Sequence, residues 1–197
     1  MKKKCFYLFA MMMAVISANA QNEVGQVTLK PMVGINFSTM TNTDDSKIRI
    51  GAAIGAEAEC GVAKSFGISV GALYSMQGVK GSEGLVDLTV KTDYLNIPIL
   101  ANYYPVKGFA IKAGIQPAFK ISAKAKADVS SGSVSASAEE DLEGVKGFYL
   151  SIPIGLSYEI SNFVLDARYN LGVTKALDWE DSKHSVFQVI LGYKFSL

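Results

Sequence analysis

From residue 21 onward, apolar and polar side chains alternate with a period of two, and the pattern recurs eight times. It predicts strands near residues 27–38, 47–60, 66–77, 94–104, 109–121, 148–160, 163–174 and 186–197, separated by Pro, Gly and Asn, with no amphipathic helical period. The links differ in length. GVAKS, PVKG and SN are short, whereas TMTNTDDS, the stretch from Gly78 to Asp93, the Ala/Ser-rich segment from Ser122 to Gly147 and KALDWEDSKHS are long. Short and long links alternate, which places every long loop at one end of an up-and-down meander. Outer-membrane barrels have this asymmetry. The predicted fold is therefore all-β: an eight-stranded antiparallel up-and-down transmembrane β-barrel.

Two near-identical hexapeptides, YLNIPI (94–99) and YLSIPI (149–154), put a proline inside a strand. Pro98 and Pro153 share the parity of the charged face, with Ile97, Ile99, Ile152 and Ile154 on the other. A closed barrel has no free edge for a proline, so each is expected to forfeit a ladder hydrogen bond and to produce a local bulge or kink near the barrel mouth.

Alternation alone does not say which face points inward, since a secreted lipocalin-like barrel would line a ligand cavity with its apolar face. Parity puts Lys30, Arg49, Glu57, Glu59, Lys112, Lys120, Glu159, Asp166, Arg168 and Lys194 on one face and leaves the other uncharged. On the apolar face, Phe66, Tyr103, Phe109, Tyr158, Phe163, Tyr193 and Phe195 gather near the short turns. Phe37, Tyr74, Phe119, Phe148 and Phe187 gather near the long loops. Two aromatic girdles flanking an aliphatic band are what a bilayer selects. Gly34, Gly51, Gly55, Gly67, Gly71, Gly114, Gly155, Gly172 and Gly192 fall on the charged face, where small residues make room for long ones in a narrow lumen. The charged face is thus expected to be the lumen and the apolar face to meet lipid.

Composition narrows the class further. MKKK, the apolar run CFYLFAMMMAVIS and the small-residue ending ANA predict a secretory signal peptide over residues 1–20, cleaved between Ala20 and Gln21, with the barrel domain over 21–197. Lysines rather than a lipobox precede Cys5, which argues against a lipoprotein anchor. Loss of Lys2, Lys3 and Lys4 leaves sixteen basic against eighteen acidic residues, a balance that argues against a nucleic-acid partner. Cys60, on the lipid-facing parity, remains alone and cannot close a disulfide within the mature chain. No residue spacing suggests a metal site or a cofactor.

The signal sequence, the repeated YLNIPI and YLSIPI, the continuation LANYY and the closing strand VFQVILGYKFSL resemble the small outer-membrane β-barrel family of Bacteroides-type bacteria, the porin-family or PorT-like barrels. The resemblance spans the mature chain. It implies an eight-stranded barrel in the bacterial outer membrane and no particular chemistry. One departure is the end of the chain, where Phe195 is followed by Ser196 and Leu197, whereas such barrels often end in an aromatic.

Strand direction places Lys30, Lys112, Arg168 and Lys194 in the lumen near the short turns, opposite Glu57, Glu59, Glu159 and Asp166. Unpaired charges in a shielded lumen are costly, so this balanced set is expected to form a hydrogen-bonded plug rather than a conducting path. His184 and Ser185 are read as solvated loop residues beside Asp178, Glu180 and Asp181. Neighbours on a strand face opposite ways, so this pair is poorly placed to share a proton, and no catalytic residue is assigned. Asp44, Asp45, Glu139, Glu140, Asp141 and Glu143 read as solvated loop faces, and Trp179 as a loop anchor. The longest loop, Ser122 to Gly147, is expected either to extend the strands as a hairpin or to stay mobile, and is the first place to look for a protein partner. The leading functional expectation is a structural or surface-interaction barrel in contact with outer-membrane lipid and lipopolysaccharide. A narrow pore for small solutes and a lipid-modifying enzyme are the alternatives.

Overall fold

A computed structural model of the chain describes residues 24–41, 47–83, 86–131, 134–141, 144–174 and 183–197. The expected signal peptide with its Ala20/Gln21 junction lies outside the described residues, as do Asp44, Asp45, Glu143, Asp178, Trp179, Glu180 and Asp181.

The strands are β1 (Val27–Met40), β2 (Lys47–Ala63), β3 (Phe66–Glu83), β4 (Val86–Asn96), β5 (Ile99–Val106), β6 (Phe109–Ser131), β7 (Val134–Asp141), β8 (Phe148–Ile160), β9 (Phe163–Gly172), β10 (His184–Tyr193) and β11 (Phe195–Ser196). All pairings are antiparallel, the order around the sheet is β10-β9-β8-β6-β4-β3-β2-β1 with β5 continuing β4 between β3 and β6, and β10 and β11 return to pair with β1. The circle is closed by eight staves. β4 and β5 form one stave interrupted at Ile97–Pro98, and β10 and β11 form another interrupted at Lys194. β7 stands outside the circle and pairs with β6 alone among the described residues. The all-β eight-stranded antiparallel barrel read from the alternation is the observed fold.

The molecule is inside-out relative to a water-soluble protein. Val33, Ile35, Ile50, Ile54, Ile68, Ile154 and Leu165 are exposed on the outer wall, whereas Lys30, Glu57, Lys112, Asp166 and Arg168 are buried. Tight turns close the staves at one end. Gly108 there takes a positive φ of 76°, which glycine adopts freely, and Ser161 takes φ 57° between β8 and β9.

The prolines behave differently from the expected bulges. At Pro98 the strand is interrupted, yet pairing resumes in the same register on both sides, Leu73↔Asn96 giving way to Val70↔Ile99 and Asn96↔Ala118 to Ile99↔Ile115. The Pro98 carbonyl still accepts from Gly71 N at 2.9 Å. At Pro153 the ladder to β9 is unbroken through Pro153↔Asn170, and the ladder to β6 only skips from Ile154↔Ala113 to Ser151↔Gln116. Neither proline introduces an extra residue. Each lacks one donor on one side, and a missing donor needs no change of register. The register shifts lie elsewhere: between Ile48 and Ala53 and between Gly61 and Ala63 on β2, at Asp93/Tyr94 on β4, and between Tyr103 and Val106 on β5.

Two loops expected to begin at the rim continue as strand. β3 and β4 pair out to Glu83↔Val86, and β6 and β7 out to Ser131↔Val134. The hairpin option for the longest loop is therefore the observed one.

A Cβ on Gly114 would collide with the carbonyl of Ile99, whereas one on Gly147 would meet nothing within 4 Å. Gly114→Val should therefore lower barrel stability by about 1–3 kcal/mol, while Gly147→Ala should be neutral. Heat-modifiable gel migration of the purified variants measures both.

Candidate functional site: a layered polar lumen

Period-two alternation sends every second side chain of each stave into the barrel, and an eight-stranded circle is only wide enough for those side chains to fill it. Along β1 the inward residues are Thr28, Lys30, Met32, Asn36, Ser38 and Met40, all buried. They mark successive storeys of the lumen from the short-turn end to the long-loop end.

The first storeys are ionic. Lys30 Nζ lies 2.7 Å from Glu57 Oε1, Lys112 Nζ 2.8 Å from Asp166 Oδ2, and Arg168 Nη2 2.6 Å from Glu57 Oε2. Arg168 also donates to both oxygens of Asp166, each at 2.7 Å, an arrangement open to it because residues two apart on a strand share a face. Nearer the short turns, Lys194 Nζ bonds Glu159 Oε2 at 2.6 Å and lies 5.9 Å from the centre of the Tyr104 ring, whose hydroxyl donates to Glu59. The eight charges grouped from the sequence are thus divided in two. Lys30, Lys112 and Arg168 against Glu57 and Asp166 leave one surplus positive charge, and Glu59 and Glu159 against Lys194 leave one surplus negative charge. Glycines on adjacent staves admit the long stems: a Cβ on Gly192 would sit 2.7 Å from Lys30 Cγ, and one on Gly155 3.0 Å from Arg168 Cγ.

Above this, Met32, Leu73 and Ile190 form an apolar storey. An amide storey follows, in which Asn170 donates to Gln188 at 2.8 Å, Gln188 to Asn36 at 2.7 Å and Asn36 to Ser75 at 2.9 Å. The top storey is aromatic. Tyr94 and Tyr149 meet edge to face at 4.8 Å between centroids, and the His184 ring lies 4.5 Å from that of Tyr149. His184 Nε2 is 3.3 Å from the Tyr94 hydroxyl, and Tyr149 donates to Gln77 at 2.9 Å.

This aromatic storey was not legible in the sequence. His184, expected in a solvated loop, opens β10 opposite Met40 and is only 2 % exposed. Strand β10 starts two residues earlier than the alternation indicates, which brings His184 onto the inward parity. The parity of Tyr94 and Tyr149 was the available signal, since both precede the hexapeptide prolines by an even number of residues. Ser185 bonds instead with Tyr169 at 2.7 Å, so the histidine and serine do not share a proton.

On the outer wall, aromatic pairs stand at both ends. Phe66–Tyr103 and Phe163–Tyr193 lie near the short turns, at centroid separations of 4.9 and 5.1 Å, with Tyr193 also 4.8 Å from Phe195. Phe37–Phe187 and Phe119–Phe148 lie near the long loops, at 6.2 and 5.4 Å. Phe109 and Tyr158 are Cα partners on the first rim, and Tyr74 stands on the second, its hydroxyl 2.6 Å from Asp93 Oδ2.

Among solved structures, the fold is similar to that of Ail, the attachment invasion locus protein of Yersinia pestis, at 20% identity and a TM-score of 0.52, covering 88% of this chain and 100% of that one. Ail in complex with the heparin analogue sucrose octasulfate matches at 18% identity and a TM-score of 0.51, with the same coverage. The N-terminal β-barrel domain of Pseudomonas aeruginosa OprF matches at 11% identity and a TM-score of 0.39, covering 87% of this chain and 98% of that one. Among curated proteins, no sequence matches this chain.

Arg168→Met removes the group that joins Glu57 to Asp166 and takes the arginine donors from Glu57 Oε2 and Asp166 Oδ1, while Lys30 and Lys112 stay paired with the two carboxylates. Its expected cost is about 1–3 kcal/mol, to be measured by urea unfolding in detergent followed by far-UV circular dichroism. Residues 19–178 match the outer membrane protein beta-barrel domain family, and the chain belongs to that family, a small β-barrel of the bacterial outer membrane.

Proposed function

We propose that this barrel is a membrane anchor for a surface-interaction element, and that its lumen is a plug rather than a path. The observation that carries this reading is the change of neighbour along β6. As far as Phe119 its flank is β8; from Lys124 onward its flank is β7, whose other side has no partner among the described residues. β3, β4, β6 and β7 thus continue beyond the aromatic rim as a sheet. The stretch of β6 from Lys124 to Ser131 spans about 25 Å at the usual rise per residue. An unpaired strand edge offers a row of backbone donors and acceptors that an extended segment of another protein can join.

In outer-membrane barrels the short turns face the periplasm and the longer connections face outward, which points the sheet away from the cell. Attachment is what the structurally similar Ail barrel is named for; here the reading rests on the projecting sheet. Within the family, the repeated YLNIPI and YLSIPI favour the Bacteroides-type, PorT-like barrels. The reading is non-enzymatic and includes contact with outer-membrane lipid and lipopolysaccharide along the apolar wall.

Two measurements test it. A photo-crosslinking residue placed at Ser135 or Ser137 of β7 should capture a partner protein in intact cells, and removal of residues 125–140 should abolish capture while the barrel still shows heat-modifiable migration. Capture that survives the deletion would place the interaction elsewhere. In planar bilayers the purified protein should give no large, stable single-channel current; such currents would favour the narrow-pore alternative.

A further inference from the structure

On the outer wall at the long-loop end, side chains of β3, β4 and β6 stand in rows. Tyr74, Leu95 and Phe119 are Cα partners in one row, with Phe148 of β8 continuing it, and this row is the upper aromatic rim. The next row outward is Met76, Asp93 and Ser122, and the one beyond it is Gly78, Lys91 and Lys124. The register shift at Asp93/Tyr94 lies between rim and charged rows, with Ile121 exposed beside it. Lys91 therefore lies about 7 Å beyond Asp93 along its strand, immediately past the lipid-facing band.

These rows frame a cavity of about 430 Å³ lined by Arg49, Met76, Lys91, Asp93, Ser122 and Lys124. Arg49 reaches it from β2, where the β2–β3 register shifts between Ile48 and Ala53. Gly78, with φ 138°, gives the guanidinium room: a Cβ there would lie 3.2 Å from Arg49 Nη1. Arg49 is 9 % exposed, and its Nη1 has no hydrogen-bond partner among the described residues. A buried guanidinium nitrogen without an acceptor is costly. Lys91 stands directly opposite Lys124 across the β4–β6 ladder, so the two ammonium stems enter the cavity side by side. Asp93, whose Oδ2 accepts from the Tyr74 hydroxyl, is the carboxylate among the lining residues. The lining brings three cationic side chains and one carboxylate around one cavity, and the orphaned Nη1 points to an acceptor that the described residues do not supply.

The geometry points to a binding site for the phosphorylated headgroup of an outer-leaflet glycolipid, with a phosphate accepting from Arg49 and lying between Lys91 and Lys124. Guanidinium and ammonium groups are the common protein partners of phosphate, and cationic pockets at the edge of a membrane's apolar band recognise lipid headgroups. A lipid rather than a free phosphate is specified by position: the acyl chains of a lipid bound here would lie along the exposed wall below, past Leu95, Phe119 and Ile121. This inference goes beyond the surface-interaction reading, from which it takes the outward orientation of the long-loop end and the contact of the apolar wall with outer-membrane lipid.

The test uses the full-length protein purified in detergent, with lipid A as the probe and dephosphorylated lipid A and inorganic phosphate as comparison ligands. Lipid A should bind, and its dephosphorylated form at least roughly tenfold more weakly. Arg49→Gln, and separately Lys91→Gln with Lys124→Gln, should each weaken lipid A binding by roughly tenfold, with heat-modifiable migration retained. If Arg49→Gln does not fold, the outward lysine pair carries the test alone. Unchanged lipid A affinity in the folded lysine variant would overturn the proposal. Inorganic phosphate binding as tightly as lipid A would overturn the lipid assignment. Crosslinking through β7 in the same variants is read separately, so failure here and failure of the surface-interaction reading give different results.

Discussion

A bilayer supplies no water to a free backbone N–H or C=O, so a chain that crosses it in strands must join its last strand to its first. In this protein the joint is the ladder from Met32↔Gly192 to Met40↔His184, continued by β11 against β1. Once that circle closes, each strand has a wet or packed side and a lipid side, and every second residue is committed to one of them. The exposed Ile and Leu of the wall and the buried Lys, Glu and Arg of the lumen are two consequences of this single closure.

Eight staves make a narrow circle, so the lumen behaves as a core built mainly of polar groups. Burial of charge is tolerable only where each group finds partners, and the division of labour is visible in the storeys. Glu57 and Asp166 are shared among Lys30, Lys112 and Arg168, so that one carboxylate answers more than one cation. Surplus charge in that group is balanced by the opposite surplus around Lys194. Apolar, amide and aromatic storeys then fill the remaining height, with His184 wedged against Tyr94 and Tyr149 at the outer end. A lumen filled in this way resembles a protein interior, which is why the specific functions proposed here lie on the outside of the barrel.

The outer end differs from the rest because β3, β4 and β6 do not stop at the rim. Their continuation takes the sheet out of the circle, leaves β7 with one neighbour among the described residues, and brings Arg49, Lys91 and Lys124 around one cavity where the wall changes from apolar to charged. Register shifts accompany that change on both flanks of the β3–β4 pair. A shift of one residue turns side chains over, so bulges of this kind let one strand serve lipid below and water above.

Alternation in the sequence was sufficient for the all-β class, the eight staves, the lumen and lipid faces and the short-turn end, because a period of two has only one way to satisfy a closed sheet in lipid. It was sufficient too for the inward parity of Lys30, Glu57, Lys112, Asp166 and Arg168, since parity is a local property of each strand. Which of these charges touch was decided only in three dimensions, because contact across a lumen depends on the stagger of strands far apart in sequence. The same holds for His184, whose inward position depends on where β10 begins, and for Pro98 and Pro153, whose neighbours keep register without a bulge. Arg49 shows the limit most plainly. Its parity marks it as one more lumen charge, and only the shifted β2–β3 register and the absence of a side chain on Gly78 bring its guanidinium to the outer cavity.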